Sequence, residues 1–337
     1  MPAPTFSHPL HHRLSLLRVG TLTTLGLVIS ACSTLTPATV TPIVPEIEPP
    51  SIALVLGGGG AKGFAHVGVI KALEENGITP TLIVGTSVGS LVGSLYASGY
   101  TPAQLERLAL TTKDSELTDF TLSNQGFIEG IKLKNFINAK VGERAIEDFP
   151  IRFAAIATEK NTLKKAVFTT GNAGLAVQAS CSVPNIFIAP RIPEKVGKKY
   201  IDGGVVSLVP VDSARDLCAD IIIAVDVTDT SDSNDLALKN IPNLNSLSSF
   251  WGLLENTIAA QPTTNHSVSM RRERDGADIV ITPAVSHISS IDTSQRRALI
   301  TAGSLATTSQ IDAIKQLIKQ KSQSKYATLS TINKQPI

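Results

Sequence analysis

The sequence predicts an α/β fold, in which a mostly parallel central sheet carries helices on both faces. Ile52–Leu56 is a run of five apolar residues, as expected for a strand that is buried on both faces. Further strand-like runs occupy residues 81–84 and 220–227, and segments with helical spacing lie between them. Strands that alternate with helices favour parallel pairing through right-handed crossover connections.

The first elements follow this alternation closely. A helix over residues 64–75 begins after a glycine-rich loop and ends at Asn76-Gly77. A second helix, over residues 88–97, comes directly after the second strand. Thr101-Pro102 predicts the start of a third helix, because a capping threonine is followed by proline at the first helical position.

The later elements are less regular. Residues 111–150 are polar and mixed, and they predict loops with one helix near residues 131–140. Residues 152–158 and 165–169 alternate around a turn, which predicts a hairpin. The rest comprises a helix over 172–180, a short strand at 199–201, a helix-rich segment near 236–260, a strand at 277–281 and a closing helix or helix pair over 294–321.

Residues 1–31 have the pattern of a lipoprotein-type signal peptide. Arg13 and Arg18 precede an apolar stretch over residues 19–31, and no acidic residue occurs before Cys32. The stretch is shorter than the roughly 20 residues that a helix needs to cross a bilayer. Small residues followed by Cys32 resemble a bacterial lipobox, which implies cleavage before Cys32 and lipidation of its thiol. The alternatives are an ordinary secretory signal and an uncleaved N-terminal anchor.

The residues after the signal predict where the folded domain is held. Ser33 follows the cysteine in place of aspartate, which resembles the outer-membrane sorting class of lipoproteins. We therefore expect a lipid-anchored protein of the cell envelope, on the outer membrane if the host has two membranes. Residues 32–50 contain five prolines and predict an extended tether. Residues 51–321 are enough for one α/β domain, and residues 322–337 form a polar C-terminal tail.

Charge and composition exclude several classes of protein. Removing residues 1–31 lowers the Lys+Arg count from 30 to 28, which equals the 28 Asp+Glu. A neutral mature chain gives no electrostatic basis for binding nucleic acid. Cys181 and Cys218 stand in apolar contexts and are predicted to be small core residues. The sequence has no metal-binding motif, so we expect no metal and no organic cofactor. It does not indicate an oligomeric state.

Ser87 stands in Gly85-Thr86-Ser87-Val88-Gly89, between the second strand and the second helix. This Gly-x-Ser-x-Gly pattern is a nucleophile elbow, in which a sharp strand-to-helix turn exposes a serine hydroxyl at the top of a sheet. The glycines are needed because the tight turn leaves no room for side chains beside it. The pattern alone is common, but its position between a strand and a helix predicts a serine nucleophile for acyl transfer.

The glycine-rich loop over residues 57–63 has three interpretations. Gly58, Gly60 and Gly63 match the Gly-x-Gly-x-x-Gly pattern of dinucleotide sites, but no acidic residue ends the second strand to hold a ribose. A phosphate-binding P-loop is excluded because Lys62 precedes the last glycine instead of following it. Backbone amides at a helix N-terminus would also form an oxyanion hole. Only this third interpretation explains the loop and the serine elbow together.

The general base is harder to assign from the residues. His66, His266 and His287 follow the signal peptide, and none stands in a recognisable motif. Asp202 ends a short strand and precedes two glycines, which allow a close backbone approach. A partly desolvated carboxylate within reach of a serine can accept its proton. Taken alone, however, an aspartate in this context is more typical of an ordinary turn.

Together, these motifs resemble the patatin-like phospholipase family, its bacterial branch in particular. The similarity covers residues 52 to about 227, with the glycine-rich loop, the elbow and Asp202-Gly203-Gly204 in order. Residues 64–70 and 182–187 are also similar to family sequence. The resemblance implies a patatin-like three-layer architecture for residues 51–321.

The resemblance also implies the site. Ser87 would be the nucleophile and Asp202 the proton acceptor of a Ser–Asp dyad without histidine. The backbone of the glycine-rich loop would form the oxyanion hole, through Gly58, Gly59 and Gly60. The residues that would support these motifs are Lys62, Gly63, Gly85, Gly89, Gly203 and Gly204. Lys62 stands where many relatives carry arginine, and lysine lacks the bidentate geometry of a guanidinium.

The implied function is a lipid-anchored serine acyl hydrolase acting on membrane phospholipids or lysophospholipids. Three alternatives remain open at this point. The chain could be a non-catalytic envelope lipoprotein that binds lipids or a partner. It could bind nucleotides through residues 58–63. It could also transfer the acyl group to an acceptor other than water.

Overall fold

The computed structural model of the protein describes residues 49–123, 125–228 and 264–332. The predicted signal peptide, Cys32, the predicted tether up to residue 48 and the helix-rich segment near residues 236–260 lie outside the described residues. The strands are β1 (Ile52–Leu56), β2 (Leu82–Thr86), β3 (Phe120–Ser123), β4 (Gly126–Ile128), β5 (Arg152–Glu159), β6 (Lys165–Phe168), β7 (Arg191–Ile192), β8 (Lys198–Asp202), β9 (Ile221–Val225) and β10 (Ile279–Ile281).

Ten helices accompany the strands in the part of the chain that the structure describes. They are α1 (Phe64–Glu75), α2 (Val88–Ala97), α3 (Pro102–Thr111), α4 (Asp114–Leu117), α5 (Ile131–Lys140), α6 (Ala173–Ser180), α7 (Val211–Asp216), α8 (Thr264–Asp275), α9 (Arg296–Thr308) and α10 (Ile311–Ile332). The predicted start of α3 is confirmed, since Thr101 and Gln104 form a capping box and Pro102 is the first helical residue.

The central sheet is mostly parallel, as predicted. Its order is β10-β9-β1-β2-β5-β8-β7, and β6 pairs with β5 outside this order. The five strands from β10 to β5 run parallel to one another. Strands β6, β7 and β8 are antiparallel to their neighbours. The predicted hairpin is therefore present as β5 and β6.

Helices cover both faces of the sheet, and its central strands are therefore buried on both sides. On one face, alternate residues such as Leu54 and Ile223 pack with residues of α1, α2 and α9. On the other face, Val55 and Ile222 pack with Val211 and Ala214 of α7. This arrangement is the α/β class that the sequence predicts.

Three features differ from the expectations. Residues 120–128 form a hairpin of two short strands, which lies in a segment expected to hold loops and one helix. These strands have three or four residues each, too few for an alternating pattern to appear. Cys218 is exposed, so its prediction as a core residue is wrong, whereas Cys181 is half-buried. Helix α10 continues to Ile332, beyond residue 321, where the closing helix was expected to end.

Candidate active site

Strands β2 and β8 lie end to end beside β5, and the candidate site is formed where their C-terminal ends meet. Strand β2 runs parallel to β5 and ends with Thr86 opposite Ile156. Strand β8 runs antiparallel to β5 and ends with Asp202 opposite Ala157. Both β2 and β8 must occupy the same edge of β5, since β6 pairs with residues 155–158 from the other edge. Residue 87 and residue 202 are therefore brought together from positions 115 apart in the sequence.

Ser87 occupies a backbone conformation that side chains rarely adopt. Its φ and ψ are 53° and −125°, at the turn between β2 and α2. Gly89 permits this turn, because a side chain there would overlap the carbonyl oxygen of Leu56. The Ser87 amide donates to Ser180 Oγ at 2.9 Å, and its carbonyl oxygen accepts from Ser90 Oγ at 2.7 Å. These contacts hold the elbow in its strained geometry.

Asp202 is held by its backbone and by one carboxylate oxygen. Its amide donates to the Ser182 carbonyl at 2.8 Å, and its own carbonyl accepts from Thr158 Oγ1 at 2.9 Å. Oδ1 accepts from the Gly204 amide at 2.7 Å. Oδ2 is buried and makes no hydrogen bond within the described residues. One oxygen thus orients the carboxyl group while the other is left with unused acceptor capacity.

Burial dominates the electrostatics of this carboxyl group. Asp202 is only 6% exposed. Desolvation raises its pKa from 3.8 to about 6, although the Ser87 side chain and the Gly204 amide both act to lower it. The Ser87 side chain thus lies close enough to the carboxyl group to influence its pKa. At neutral pH, Asp202 is ionised and more basic than an ordinary aspartate, as a general base for a serine requires.

The glycine-rich loop borders Ser87. A side chain at Gly58 would place its Cβ 3.4 Å from Ser87 Cβ. The Gly58 amide already donates to the Leu208 carbonyl at 3.0 Å. Within the described residues, the amides of Gly59 and Gly60 make no hydrogen bond. Two of the three predicted oxyanion-hole amides, those of Gly59 and Gly60, therefore have no hydrogen-bond acceptor within the described residues.

The other predicted motif residues lie around this centre. Lys62 is half-buried in the short 3-10 turn Gly60–Gly63 that opens α1. Gly63 packs against the side chain of Val88. The remaining glycines allow close backbone contacts: Gly85 lies against Gly89, Gly203 against the Ile156 carbonyl, and Gly204 beside Asp202 Oδ1.

Within the described residues, neither His66 nor His287 hydrogen-bonds to Ser87 or Asp202. His66 is completely buried in α1, and its Nε2 lies 2.8 Å from the Gly57 carbonyl oxygen. Burial lowers the pKa of His66 to about 4, so the ring is neutral at pH 7 and donates from Nε2. His287 is exposed, and His266 lies in α8. His66 thus supports the start of the glycine-rich loop.

Several residues of the site were not predicted from sequence. Ser180 has no exposed surface and links the elbow to β5, since its Oγ also donates to the Ile156 carbonyl at 2.5 Å. The Ser182 carbonyl oxygen accepts a hydrogen bond from the Asp202 amide, and the Leu208 carbonyl oxygen accepts one from the Gly58 amide. Cys181 lies beside the dyad, where burial and then the Asp202 charge raise its pKa. The run of small polar residues at 180–182 is the signal that could have indicated this role.

The described residues contain no group of three or more His, Cys, Asp or Glu side chains placed to hold a metal ion. Among the same residues, no helix is both long enough and apolar enough to cross a membrane. Two surface depressions of about 210 and 270 Å³ lie elsewhere, and neither is lined by Ser87.

Comparison with known proteins identifies similar sequences. The sequence profile of the patatin-like phospholipase family matches residues 54–215. An NTE family protein of Mycobacterium bovis is 36% identical over 182 residues, which cover 52% of this chain and 49% of that protein. Lysophospholipase NTE1 of Coccidioides immitis is 36% identical over 210 residues, 60% of this chain and 13% of the fungal protein.

The structure is also similar to that of VipD from Legionella pneumophila. The TM-score is 0.54 at 15% sequence identity, over 79% of this chain and 67% of VipD, so the two share a fold. The chain spans about half the length of the mycobacterial relative and a smaller part of the fungal one. Residues 54–215, which hold Ser87, Asp202 and the glycine-rich loop, are thus similar to the patatin-like phospholipase family, and this similarity supports a lipid ester hydrolase.

Proposed function

We propose that the protein is a lipid-anchored serine hydrolase that cleaves acyl esters of membrane phospholipids or lysophospholipids. The observation that carries the proposal is the buried Asp202 carboxylate, whose unpaired Oδ2 lies beside a serine on a strained elbow. An ionised oxygen that is desolvated and unsatisfied gains most when it accepts a proton. A position next to a strained serine makes Ser87 the donor of that proton.

The first half-reaction forms an acyl-enzyme. Ser87 Oγ attacks the ester carbonyl carbon and transfers its proton to Asp202 Oδ2. The carbonyl oxygen becomes an alkoxide, which the free amides of Gly59 and Gly60 stabilise. Each such donor typically contributes on the order of 3 kcal/mol in the transition state. Collapse of the intermediate breaks the ester bond, and Asp202 returns the proton to the departing alcohol or lysolipid.

The second half-reaction regenerates the enzyme by the same groups. Asp202 accepts a proton from water, and the resulting hydroxide attacks the acyl carbon of Ser87. The intermediate then collapses to release the fatty acid, and the proton passes from Asp202 to Ser87 Oγ. One acid–base group serves both steps, because its pKa of about 6 lies close to neutral pH.

Membrane attachment through Cys32 is part of the proposal. The support for it is the sequence alone: a basic start, an apolar stretch and small residues before the cysteine. Two signals are generally needed for stable attachment by lipid chains. A protein whose substrate is a membrane lipid would be placed next to it by such an anchor. Fractionation of Cys32→Ser cells tests this part, and we expect the variant to leave the envelope membranes.

The catalytic proposal is tested by hydrolysis of an ester series that includes short-chain soluble esters, lysophospholipid and phospholipid. The full chain is compared with Ser87→Ala and Asp202→Asn at equal folded concentration. We expect both variants to lose hydrolysis of every ester, because each removes one member of the dyad. A chain that binds lipid vesicles but hydrolyses no ester would favour the non-catalytic lipoprotein. Hydrolysis that survives in Ser87→Ala would contradict the proposed nucleophile.

A further inference from the structure

The β3–β4 hairpin exposes apolar side chains of a size that is usually buried. Phe120 is 57% exposed and Phe127 is 49% exposed, and the adjoining Ile131 at the start of α5 is also exposed. Val196, between β7 and β8, is 84% exposed. Scattered exposed apolar residues are ordinary, but a contiguous group marks a surface that meets another apolar phase or partner.

These residues belong to two hairpins that touch each other. Lys199 Nζ on β8 donates to Gln125 Oε1 in the β3–β4 turn at 2.7 Å. Ile131 and Lys195 line the same depression, of about 270 Å³. We call this set the hairpin surface, and its members are Phe120, Phe127, Ile131, Lys132, Arg191, Lys195, Val196 and Lys199.

The hairpin surface is linked to Ser87 and Asp202 by packing and by the course of the chain. The base of the β3–β4 hairpin packs through Ile128 against Val183, Ile186 and Phe187. The segment of residues 183–187 begins directly after Ser182, whose carbonyl oxygen accepts a hydrogen bond from the Asp202 amide. Strand β8 leads from the Val196 turn to Asp202, and six residues of extended chain span at most about 20 Å. A lipid surface that contacted the two hairpins would therefore lie within the length of a lipid molecule of the nucleophile.

The charge around the apolar side chains is positive. Residues 125–132 and 190–199 contain five basic and two acidic residues. One acid, Glu194, is already paired with Lys134 at 2.6 Å, and one base, Lys198, is paired with Glu159 at 2.8 Å. Lys195 makes no ion pair within the described residues, and Lys199 contacts a neutral amide. Exposed aromatic side chains in segments with more basic than acidic residues match the interface of a bilayer with anionic lipid.

We propose that the hairpin surface docks the catalytic domain onto an anionic lipid bilayer, with Phe120, Phe127 and Val196 inserted among the headgroups. The inference rests on the proposed function for its purpose, because docking would present membrane lipid to Ser87. It goes beyond attachment through Cys32, since it fixes which face of the domain meets the membrane. The cations would contribute through attraction to lipid phosphates and anionic headgroups.

Site-specific tryptophan fluorescence tests the docking in the full chain. Trp251 is the only tryptophan in the sequence, so it is replaced by phenylalanine in every variant. Phe127→Trp is compared with Leu305→Trp, because Leu305 is 66% exposed on α9, a different part of the fold. All proteins carry Ser87→Ala, so the vesicles are not hydrolysed and the result does not depend on catalysis.

With vesicles of phosphatidylglycerol and phosphatidylcholine, we expect the Phe127→Trp emission to shift to the blue and to be quenched by brominated acyl chains. Leu305→Trp should show neither effect, and added salt should weaken both. Equal quenching at the two positions, or none at Phe127→Trp on vesicle-bound protein, would overturn the proposal. A blue-shifted Phe127→Trp emission before vesicles are added would do so too, because another segment or a second copy would already cover this surface.

Hydrolysis measurements distinguish the docking proposal from the proposed catalytic function. In the active full chain, Phe120→Ser/Phe127→Ser should lower vesicle hydrolysis at least about tenfold, given the contribution of one buried aromatic side chain to partitioning. Hydrolysis of a soluble short-chain ester should be unchanged, which also shows that the variant is folded. Leu305→Ser is the matched control. If neither ester is hydrolysed by any form, the proposed function fails, and the fluorescence result still decides the docking.

Discussion

Thr86 and Asp202 lie end to end on one edge of β5, opposite the consecutive residues Ile156 and Ala157. The two strands that carry them run in opposite directions, so their C-terminal ends converge. The residue after Thr86 is the proposed nucleophile, and Asp202 is itself the proposed base. The sheet register, rather than any flexible loop, therefore sets the distance between the two groups. A dyad mounted on paired strands is held rigidly, as catalytic positioning requires.

The pH dependence of hydrolysis should follow Asp202. Burial raises the pKa of this carboxyl group to about 6, and only the ionised form accepts the serine proton. We expect kcat/KM for an uncharged soluble ester to be constant above pH 7 and to fall about tenfold per pH unit well below 6. Initial rates between pH 4.5 and 8.5 measure this. A rate that is unchanged at pH 4.5 would show that the base is a group with a much lower pKa.

Asp202→Asn should stabilise the fold while it removes activity. The folded-state pKa of Asp202 is raised from 3.8 to about 6, so its contribution to stability is lost as the pH rises through that range. The difference corresponds to about 3 kcal/mol at pH 7 and above. Urea unfolding at several pH values should show the variant more stable at pH 8 and equal to the wild type near pH 4.

His66 also contributes to the pH dependence of the free energy of unfolding. Its pKa is lowered from 6.5 to about 4, so its contribution to stability is present above 6.5 and is lost as the pH falls. The contributions of His66 and Asp202 therefore have opposite slopes between about pH 4 and pH 6. Removing the carboxylate should expose a steeper loss of stability in acid. Ser87→Ala keeps both groups and should retain the wild-type slope, and a pH-independent gain in Asp202→Asn would contradict the assignment.

Gly60→Ala should damage the oxyanion hole more than the fold. Gly60 has φ 57°, and a Cβ there would overlap the Ser290 carbonyl oxygen. Moving the loop would displace one or both free amides, and losing one such donor typically costs about 10²-fold in kcat. Gly77→Ala is the matched control, because Gly77 has φ 73° with open space around it. It should lose roughly 1–2 kcal/mol of stability and keep its kcat. Steady-state kinetics and urea unfolding of both variants decide the point, and equal kcat values would contradict it.

Ser180→Ala should impair catalysis without touching the substrate. The change removes the acceptor of the Ser87 amide and the donor to the Ile156 carbonyl, both inside the fold. Leaving such groups unsatisfied costs about 1–3 kcal/mol, and the elbow is free to relax. We expect a lower kcat at similar KM. Ser94→Ala is the control, since that buried hydroxyl donates only to Leu91 of its own helix. Equal kinetics in the two variants would show that Ser180 does not hold the elbow.

The local parts of the site could be predicted from sequence because each depends on neighbours in the chain. The order strand, turn and helix around Ser87 requires glycine at positions 85 and 89, and this requirement is visible in a stretch of five residues. The buried strands are equally visible, since strands covered on both faces must be continuously apolar. Fold class and nucleophile are therefore properties of short segments.

The partnership of Ser87 with Asp202 needed the tertiary structure or a family resemblance. Nothing in the sequence around Asp202 distinguishes it from a turn aspartate, because its raised pKa comes from burial by residues far along the chain. The commitment of the Gly58 amide to Leu208 is likewise a contact across 150 residues. The β3–β4 hairpin was missed because its strands are short and gain their order by packing on residues 183–187.

What the sequence by itself determined is the α/β class, the elbow and the glycine-rich loop, since local sterics and hydrophobic periodicity act between near neighbours. What only the tertiary structure decided is which groups meet: the convergence of β2 and β8 on β5, the two free amides and the apolar hairpins beside them. The physical reason is that desolvation, hydrogen-bond occupancy and surface exposure depend on the whole packed arrangement rather than on chain order.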